Sequence, residues 1–181
     1  LWSADSRFLA CAVKRQEDAN YEIGLIDVEA QSMQMVTAGG DPDWSLSPAA
    51  FVPESRWLLC SREFASGKDC DAVLVHLDTA EMRVLTPHTG EESWSPSDIS
   101  PDGRWIALTS NAKNGHDNVA LLDLPAALAD AERADTTSHV RWITEDVWEI
   151  SSGGFSPDGA FLTYEANRDG QGELYVYDIE A

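Results

Sequence analysis

Three tryptophans with acidic neighbours are the residues of this sequence best suited to hold a ligand. They recur at intervals of about 50 residues, and glutamates stand beside two of them. The candidate set consists of Trp44, Glu91, Glu92, Trp94, Trp148 and Glu149. An acidic, aromatic surface attracts a peptide α-amino group or a basic side chain through charge and cation–π contact. The alternative, which we favour for the rings, is that recurring tryptophans pack between structural units while the carboxylates are solvated.

A turn phrase that recurs along the chain indicates how these residues are positioned. Residues 100–105 read SPDGRW and residues 156–161 read SPDGAF, and the weaker forms SADSRF and PESRW stand at 3–8 and 53–57. Two further sequence landmarks recur after the phrase. One is an aspartate that directly follows an apolar residue, and the other is a threonine that directly follows an apolar residue. The aspartates are Asp27, Asp78, Asp123 and Asp178, and the threonines are Thr37, Thr86 and Thr144. The chain therefore contains an internal repeat of about 50 residues.

Each repeat predicts four short strands joined by tight turns. In the Pro-Asp-Gly phrase, proline fixes φ, aspartate bonds the backbone and glycine adopts a positive φ. Four antiparallel strands in a repeat of this length are typical of a β-propeller blade. The predicted fold is therefore all-β, a β-propeller segment of about four blades built from four-stranded antiparallel sheets.

The predicted segment begins and ends inside a blade. With strands A to D labelled from the central channel outward, the chain contains B-C-D, A-B-C-D, A-B-C-D and A-B-C, so the first strand A and the last strand D are missing. The repeats span approximately residues 1–40, 41–90, 91–146 and 147–181, with an Ala- and Leu-rich helical insert at 125–135. The tryptophans fall in the connections from strand D to the next strand A.

Blades that are open at both ends leave apolar faces and sheet edges exposed. We therefore expect a piece of a larger propeller of about six to eight blades, which self-associates when isolated. A self-closing ring of four blades and a pair of two copies are the alternatives.

Composition limits the classes of partner. The chain holds 12 Lys and Arg against 32 Asp and Glu, a formal charge of −20, which repels nucleic acid and anionic lipid. No apolar run approaches the ~18 residues that span a bilayer. The sequence thus predicts a soluble protein without nucleic-acid or membrane partners, in the periplasm, outside the cell or in the cytoplasm.

Neither the histidines nor the cysteines form a recognisable reactive site. The four histidines fall at unrelated positions of the repeat, whereas a zinc site needs three or four converging ligands. Three scattered cysteines argue against a disulfide framework. Cys11 and Cys60 share a repeat position with Leu108 and Tyr164, as expected of core residues, and Cys70 lies in a predicted hairpin loop. The sequence predicts no metal and no cofactor.

Two stretches carry a resemblance to known proteins. Residues 95–124, SPSDISPDGRWIALTSNAKNGHDNVALLDL, and residues 153–179, GGFSPDGAFLTYEANRDGQGELYVYDI, resemble the repeats of TolB-like propellers. The closest likeness is to the N-terminal propeller of prolyl-oligopeptidase-family serine peptidases, which include acylaminoacyl- and dipeptidyl-peptidases. The resemblance covers all four units, strongly in the last two and weakly in the first two, where the Pro-Asp-Gly turn has degenerated.

The resemblance implies a division of labour between two domains. In that family the catalytic residues lie mainly in a C-terminal α/β-hydrolase domain, while the propeller filters access and helps to hold the peptide. No catalytic residue is carried over to this chain, because its nearest approach to Gly-x-Ser-x-Gly, at residues 154–158, lacks the last glycine and belongs to a repeat turn.

We therefore predict a non-catalytic propeller segment of a prolyl-oligopeptidase-type serine peptidase. It would gate or shape peptide access to a hydrolase domain of the parent chain, so a peptide substrate and that domain are its expected partners. The alternative is a TolB-like propeller scaffold that binds a protein partner and has no enzymatic activity.

Overall fold

Four antiparallel sheets follow one another along the chain. A computed structural model describes residues 1–15, 20–38, 43–64, 67, 69–130, 136–168 and 170–180. Sheet 1 contains β1 (Phe8–Val13), β2 (Glu22–Asp27) and β3 (Ser32–Met35), and sheet 2 contains β4 (Trp44–Phe51), β5 (Trp57–Phe64), β6 (Cys70–His76) and β7 (Met82–Val84). Sheet 3 contains β8 (Trp94–Ile99), β9 (Trp105–Ser110), β10 (Asn118–Asp123) and β11 (Val140–Trp142), and sheet 4 contains β12 (Ile150–Phe155), β13 (Phe161–Ala166) and β14 (Glu173–Asp178).

Each sheet is a meander, so strands that are neighbours in sequence are also hydrogen-bonded neighbours. Sheets 2 and 3 have four strands, whereas sheets 1 and 4 have three. The first strand of sheet 1 is reduced to a single bridge between Trp2 and Leu9. Within the described residues, sheet 4 has no strand beyond β14. The predicted propeller segment, with its first strand A and last strand D missing, is confirmed.

The turn between the first and second strands is built by its own side chains. In sheet 3 the Ser100 hydroxyl donates to Asp102 at 2.5 Å, and Asp102 accepts the Arg104 N–H at 3.0 Å. The Ser100 oxygen also accepts the Trp105 N–H at 2.8 Å. The same bonds recur in sheets 1 and 4. Because the serine hydroxyl and a backbone N–H both stabilise the carboxylate, the pKa of the turn aspartate is lowered in all three sheets.

Sheet 2 closes its turn differently. Val52 stands where the other sheets have serine, so that position supplies no hydroxyl to the turn. Instead, the Ser55 hydroxyl donates to the Val52 carbonyl oxygen at 3.0 Å and accepts the Trp57 N–H at 3.2 Å. The positive φ falls on Glu54, at 51°, one position earlier in the turn than Gly103, at 72°. The degenerate phrase therefore still forms a tight turn, with its left-handed residue moved by one.

Apolar side chains between neighbouring sheets form three cores. The core between sheets 1 and 2 includes Ile23, Leu58 and Val75, that between sheets 2 and 3 includes Leu74, Ile106 and Leu122, and that between sheets 3 and 4 includes Leu121, Ile150 and Leu162. Alternate residues of the middle strands face opposite neighbours, which is why these strands read as nearly continuous apolar runs. Each sheet is therefore stabilised mainly by the sheets beside it.

The repeated aspartates do not all hold the same position. Three carboxylates accept a backbone N–H from the residues that follow the third strand, and they belong to Asp27, Asp123 and Asp178. In sheet 2 the third strand ends at His76, and Asp78 lies two residues beyond it. The Asp78 carboxylate binds the Arg56 guanidinium at 2.6 Å, and this bond lowers the pKa of Asp78. The sequence alignment of Asp78 with the other three is therefore wrong by two residues.

A short helix, Leu124–Ala129, follows β10 directly. The Asp123 carboxylate caps it by accepting a backbone N–H of the first turn at 3.0 Å. A 3-10 turn, Thr136–His139, leads into β11. Of the helical insert predicted at 125–135, residues 131–135 lie outside the described part of the chain. Neither described helix is long and apolar enough to cross a membrane.

Candidate functional site

The connections between sheets and the hairpins between second and third strands lie at the same end of the strands. We call this end of the strands the connection edge, and the opposite end, which carries the Ser-x-Asp turns, the turn edge. Beyond the end of each fourth strand, a threonine hydroxyl replaces the strand as hydrogen-bond acceptor for the third strand. The pairs are Thr37 with the Ile23 N–H, Thr86 with the Ala72 N–H and Thr144 with the Val119 N–H, at 2.9, 2.9 and 3.0 Å. The threonine landmark therefore fastens each connection to its own sheet.

The three tryptophans of the candidate set do not occupy equivalent positions. Register with the second strand of each sheet makes Trp94 equivalent to Leu46 and Ile150. These three residues are buried, with 0%, 7% and 4% of their surface exposed. Trp44 and Trp148 instead lie two residues before the buried position. The regular spacing of the tryptophans thus conceals two different environments.

Trp94 and the two glutamates before it form the connection from sheet 2 to sheet 3. The centroid of the Trp94 ring lies 5.6 Å from that of Trp142, and the indole N–H donates to Glu92 Oε2 at 3.2 Å. The Glu92 carbonyl oxygen accepts the Cys70 N–H at 3.2 Å, which ties the two sheets together. Trp94 therefore offers no ring surface to a ligand, whereas the Glu91 side chain is exposed to solvent.

Trp44 is partly buried and packs within sheet 2. Its ring meets Phe64 edge-on, with centroids 5.1 Å apart, and the Arg62 guanidinium lies 4.3 Å from the Trp44 centroid. Arg62 in turn donates to Asp71 at 2.5 Å. The face of Trp44 already holds an internal cation, so this ring belongs to the framework of the connection edge.

Trp148 projects from the connection between sheets 3 and 4. The residue is 45% exposed, and Val147 beside it is 61% exposed. Glu149 is exposed as well, while its carbonyl oxygen accepts the Asn167 N–H at 3.0 Å from the hairpin of sheet 4. An aromatic ring, an aliphatic side chain and a carboxylate thus reach the solvent together at this point of the connection edge.

Two ion pairs and an asparagine hold the residues that precede this projection. Arg168, from the hairpin of sheet 4, donates to Asp146 at 2.7 Å, and Lys113, from the hairpin of sheet 3, pairs with Glu145. Asn118 is fully buried and accepts the Asp146 N–H at 2.8 Å. The projecting residues therefore rest on a framework that is held from both sheets.

A second constellation at the connection edge has no counterpart in the sequence analysis. His88, Asp69 and Asp71 place nitrogen and oxygen atoms within 4.8 Å of one another. Nε2 of His88 lies 3.2 Å from Asp69 Oδ1, while Nδ1 lies 2.9 Å from the Thr86 carbonyl oxygen and 3.4 Å from Asp71 Oδ1. Arg62 occupies the other oxygen of Asp71. The three side chains come from a hairpin, a strand and a connection, so no spacing in the sequence indicates that they lie close together.

These three side chains could supply metal ligands, but the cluster is satisfied without an ion. Both ring nitrogens of His88 already lie within hydrogen-bonding distance of an oxygen atom, Nδ1 beside the Thr86 carbonyl oxygen and Nε2 beside Asp69. The Asp71 carboxylate is paired with Arg62. A metal ion bound to both oxygens of Asp71 would displace Arg62 from a carboxylate whose side chain is only 6% exposed. We therefore interpret the cluster as a hydrogen-bonded network that joins the connection after β7 to sheet 2.

The three cysteines and Ser156, the serine of the incomplete Gly-x-Ser-x-Gly sequence at residues 154–158, lie in the strands and turns of the sheets. Burial raises the pKa of Cys60, which is 0% exposed, and raises the pKa of Cys70 to about 12. Cys70 begins strand β6 and is buried, so its predicted place in a hairpin loop is wrong. Cys11 is partly buried on β1. The Ser156 hydroxyl donates to Asp158 at 2.6 Å, and its oxygen accepts the Phe161 N–H at 3.0 Å, so both bonds hold it inside the turn.

Comparison with known proteins identifies the fold. No model of a protein family matches the sequence, and no curated protein matches it. Among solved structures, TolB from Acinetobacter baumannii matches with a TM-score of 0.69 and 21% identity, over 95% of this chain and 39% of that chain. A TolB-like protein from Agrobacterium tumefaciens matches with a TM-score of 0.73 and 17% identity, over 99% of this chain and 60% of that one. Dipeptidyl peptidase 4 from Porphyromonas gingivalis matches with a TM-score of 0.63 and 15% identity, over 99% and 29%.

This chain spans less than two thirds of each of these proteins. The resemblance that the turn phrases predict is confirmed at the level of the fold. The four sheets have the fold that TolB-like propellers share with the N-terminal propellers of prolyl and dipeptidyl peptidases.

Proposed function

We propose that this chain is a non-catalytic propeller segment that shapes peptide access to a hydrolase domain, as in prolyl-oligopeptidase-type serine peptidases. The observation that carries the proposal is the projection of Val147, Trp148 and Glu149 from the connection edge. A propeller edge that receives a peptide needs exposed groups on a fixed base, and the ion pairs of the hairpins of sheets 3 and 4 supply that base.

The charge of the edge specifies what kind of peptide it attracts. Lys113 and Arg168 neutralise the carboxylates that precede the projection, whereas the Glu149 side chain is exposed beside Trp148. The chain as a whole has a formal charge of −20, so its electrostatic potential attracts a cationic group. A free α-amino group or a basic side chain over the Trp148 ring adds a cation–π contact.

Calorimetric titration with short peptides tests this role. A peptide with a free amino terminus and a basic residue should bind weakly, and Trp148→Ala should reduce the affinity by about twofold to fivefold, the size of one cation–π contact at an exposed ring. Trp2→Ala is the matched control, because Trp2 is 56% exposed but pairs with β1 at the turn edge. Equal losses in the two variants, or equal binding of an acidic, N-acetylated peptide, would contradict the proposal.

A TolB-like scaffold that binds a protein partner is the second candidate function. It is favoured by the two TolB-type structures, which are 21% and 17% identical to this chain, against 15% for the peptidase. The two candidates differ in the parent polypeptide. Labelling of the parent polypeptide by a fluorophosphonate probe at a Gly-x-Ser-x-Gly serine supports the peptidase, whereas further repeats and no labelling support the scaffold.

A further inference from the structure

An asparagine followed by a glycine lies in the hairpin between β9 and β10. Asn114 and Gly115 are the only Asn-Gly pair of the chain, and both residues are exposed. The backbone nitrogen of a residue can attack the side-chain amide carbon of the asparagine before it, and glycine hinders this attack least because it has no Cβ. The hairpin thus places an amide that is prone to ring closure at the connection edge.

Two hydrogen-bond donors polarise the side-chain carbonyl of Asn114. Its Oδ1 accepts the His116 N–H at 3.0 Å and an N–H of the Asn118 side chain at 3.0 Å. Donors at this oxygen stabilise the negative charge that develops on it when a nucleophile attacks the amide carbon. Both donors belong to sheet 3 and its hairpin, so they do not depend on the connection between sheets 3 and 4.

Two other bonds restrain the groups that would react. Asn114 Nδ2, which would leave, donates to the Asp146 carbonyl oxygen at 3.0 Å. The Gly115 N–H, whose nitrogen would attack, donates to the Asn111 carbonyl oxygen at 2.9 Å within the hairpin. Only the bond to Asp146 crosses to the connection that carries the projection. When the connection separates from the hairpin, this bond is lost and the Asn114 amide becomes free to react.

We propose that Asn114 is a site of spontaneous deamidation whose rate is controlled by the connection between sheets 3 and 4. A base in the solvent takes the Gly115 amide proton, and the nitrogen forms a bond with Cγ of Asn114. The Cγ–Nδ2 bond breaks as a solvent proton is added, so that ammonia leaves and a succinimide ring remains. Water then opens the ring at either carbonyl carbon and gives aspartate or isoaspartate. Water is the only co-reactant.

The product cannot remake the bond to the connection. Both products replace Nδ2, which donates to the Asp146 carbonyl oxygen, by a carboxylate oxygen that only accepts. The two oxygens repel each other, so the modification keeps the connection apart from the hairpin and loosens the base of the projection. The consequence for peptide binding rests on the proposed function, whereas the modification itself does not.

Peptide mapping by mass spectrometry of the folded chain, kept at mildly alkaline pH, tests the site and its control. Asn114 should gain about one dalton, while Asn111, Asn118 and Asn167, which precede larger residues, should remain amides. Arg168→Met should raise the rate about twofold to fivefold, because Arg168 donates to Asp146 at 2.7 Å and holds the connection in place.

Arg104→Met is the matched control, since it removes an exposed ion pair with Asp123 in the same sheet and should leave the rate unchanged. Absence of conversion at Asn114, or equal rates in the Arg168→Met and Arg104→Met variants, would overturn the proposal.

Hydrogen exchange measures the effect of the product on the connection. Asn114→Asp reproduces the aspartate product, and the Asp146 N–H, which donates to Asn118 at 2.8 Å, should then exchange about fivefold faster. Asn111→Asp adds the same charge to the same hairpin but keeps an acceptor for the Ser93 N–H, so it should leave the exchange of Asp146 unchanged. Equal exchange of Asp146 in the two variants would overturn the link to the connection. No peptide is present in either experiment, so a failure of the proposed binding role would not alter these results.

Discussion

Removal of one hydroxyl group from a connection should test how the sheets are fastened. Thr144 is 5% exposed, and its hydroxyl oxygen accepts the Val119 N–H at 3.0 Å while the hydroxyl donates to Asn118 at 3.0 Å. Valine has nearly the same shape but cannot make either bond. A buried donor without a partner costs about 1–3 kcal/mol, and the lost bond to Asn118 adds to it, so Thr144→Val should lower the free energy of unfolding by about 2–3 kcal/mol.

The same substitution at two other threonines should lower the free energy of unfolding by smaller amounts. The Thr37 hydroxyl oxygen accepts the Ile23 N–H at 2.9 Å. Among the described residues it makes no second bond like that of Thr144 to Asn118, so Thr37→Val should lower the free energy of unfolding by about 1–2 kcal/mol. Thr79 also accepts a backbone N–H, at 3.3 Å, but it is exposed. Water replaces a hydroxyl there, so Thr79→Val should cost less than about 0.5 kcal/mol.

Urea titration at a chain concentration low enough to avoid association measures all three variants. The dependence of the unfolding free energy on urea should be unchanged, so that a shift of the midpoint reports stability. Equal losses for Thr144→Val and Thr79→Val would refute the account, because burial of the N–H partner would then make no difference. A larger loss for Thr37→Val than for Thr144→Val would refute the role of the second bond.

Three further outcomes follow from the described contacts. Ser100→Ala should raise the pKa of Asp102 towards its usual value, measurable by carboxyl NMR titration, since the Ser100 hydroxyl is the largest cause of the lowered pKa. Because that pKa is lowered, the stabilising effect of Asp102 is present above the usual value of 3.8 and is lost as the pH falls through the lowered value, so the variant should gain less stability between acid and neutral pH. Arg141→Met should weaken the contact of sheets 3 and 4 by about 1–2 kcal/mol in urea titration, since the guanidinium donates to the Ile179 carbonyl oxygen, just after β14, at 3.0 Å and lies 5.7 Å from the centroid of the Tyr177 ring. Iodoacetamide at neutral pH should alkylate Cys11 before Cys70, whose pKa is about 12, and peptide mass spectrometry that finds the reverse order would contradict the burial described above.

The repeat could be predicted from the sequence because its bonds are local. The hydroxyl of Ser100, the carboxylate of Asp102 and the N–H of Trp105 lie within six consecutive residues. A turn whose partners are that close in sequence is written directly in the order of residue types. Once the turns are placed, the apolar runs between them have to be strands, and the four-sheet fold follows.

Exact positions along the strands could not be predicted, and the reason is the two-residue period of a strand. Asp78 lies two residues beyond the strand end at His76, and Trp148 lies two residues before the buried position that Trp94 occupies. A shift of two residues keeps every side chain on the same face of the sheet, so the apolar pattern is unchanged. Only the hydrogen-bond register separates the buried Trp94 from the exposed Trp148.

The His88 cluster could not be predicted for a different reason. Its carboxylates come from the hairpin and the strand of sheet 2, and its imidazole comes from the connection that leaves that sheet. Their approach depends on the path of the connection, which Thr86 sets by its bond to the Ala72 N–H. The sequence shows Thr86 as a recurring position, but it does not show how close the bond of Thr86 brings His88 to the two carboxylates.

The meander order of the strands also determines how the chain is expected to fold. Pairing within a sheet involves near neighbours in sequence and closes quickly, but a sheet gains its apolar core only when an adjacent sheet has formed. The smallest stable nucleus is thus a pair of adjacent sheets, and the chain behaves as a linear array of coupled units. Within this chain, sheets 2 and 3 pack against a neighbouring sheet on both faces, whereas sheets 1 and 4 do so on one face. Amide protons of β5, β6, β9 and β10 should accordingly exchange with solvent only when the whole chain unfolds. Those of β2 and β13 should exchange through partial unfolding, which requires less free energy.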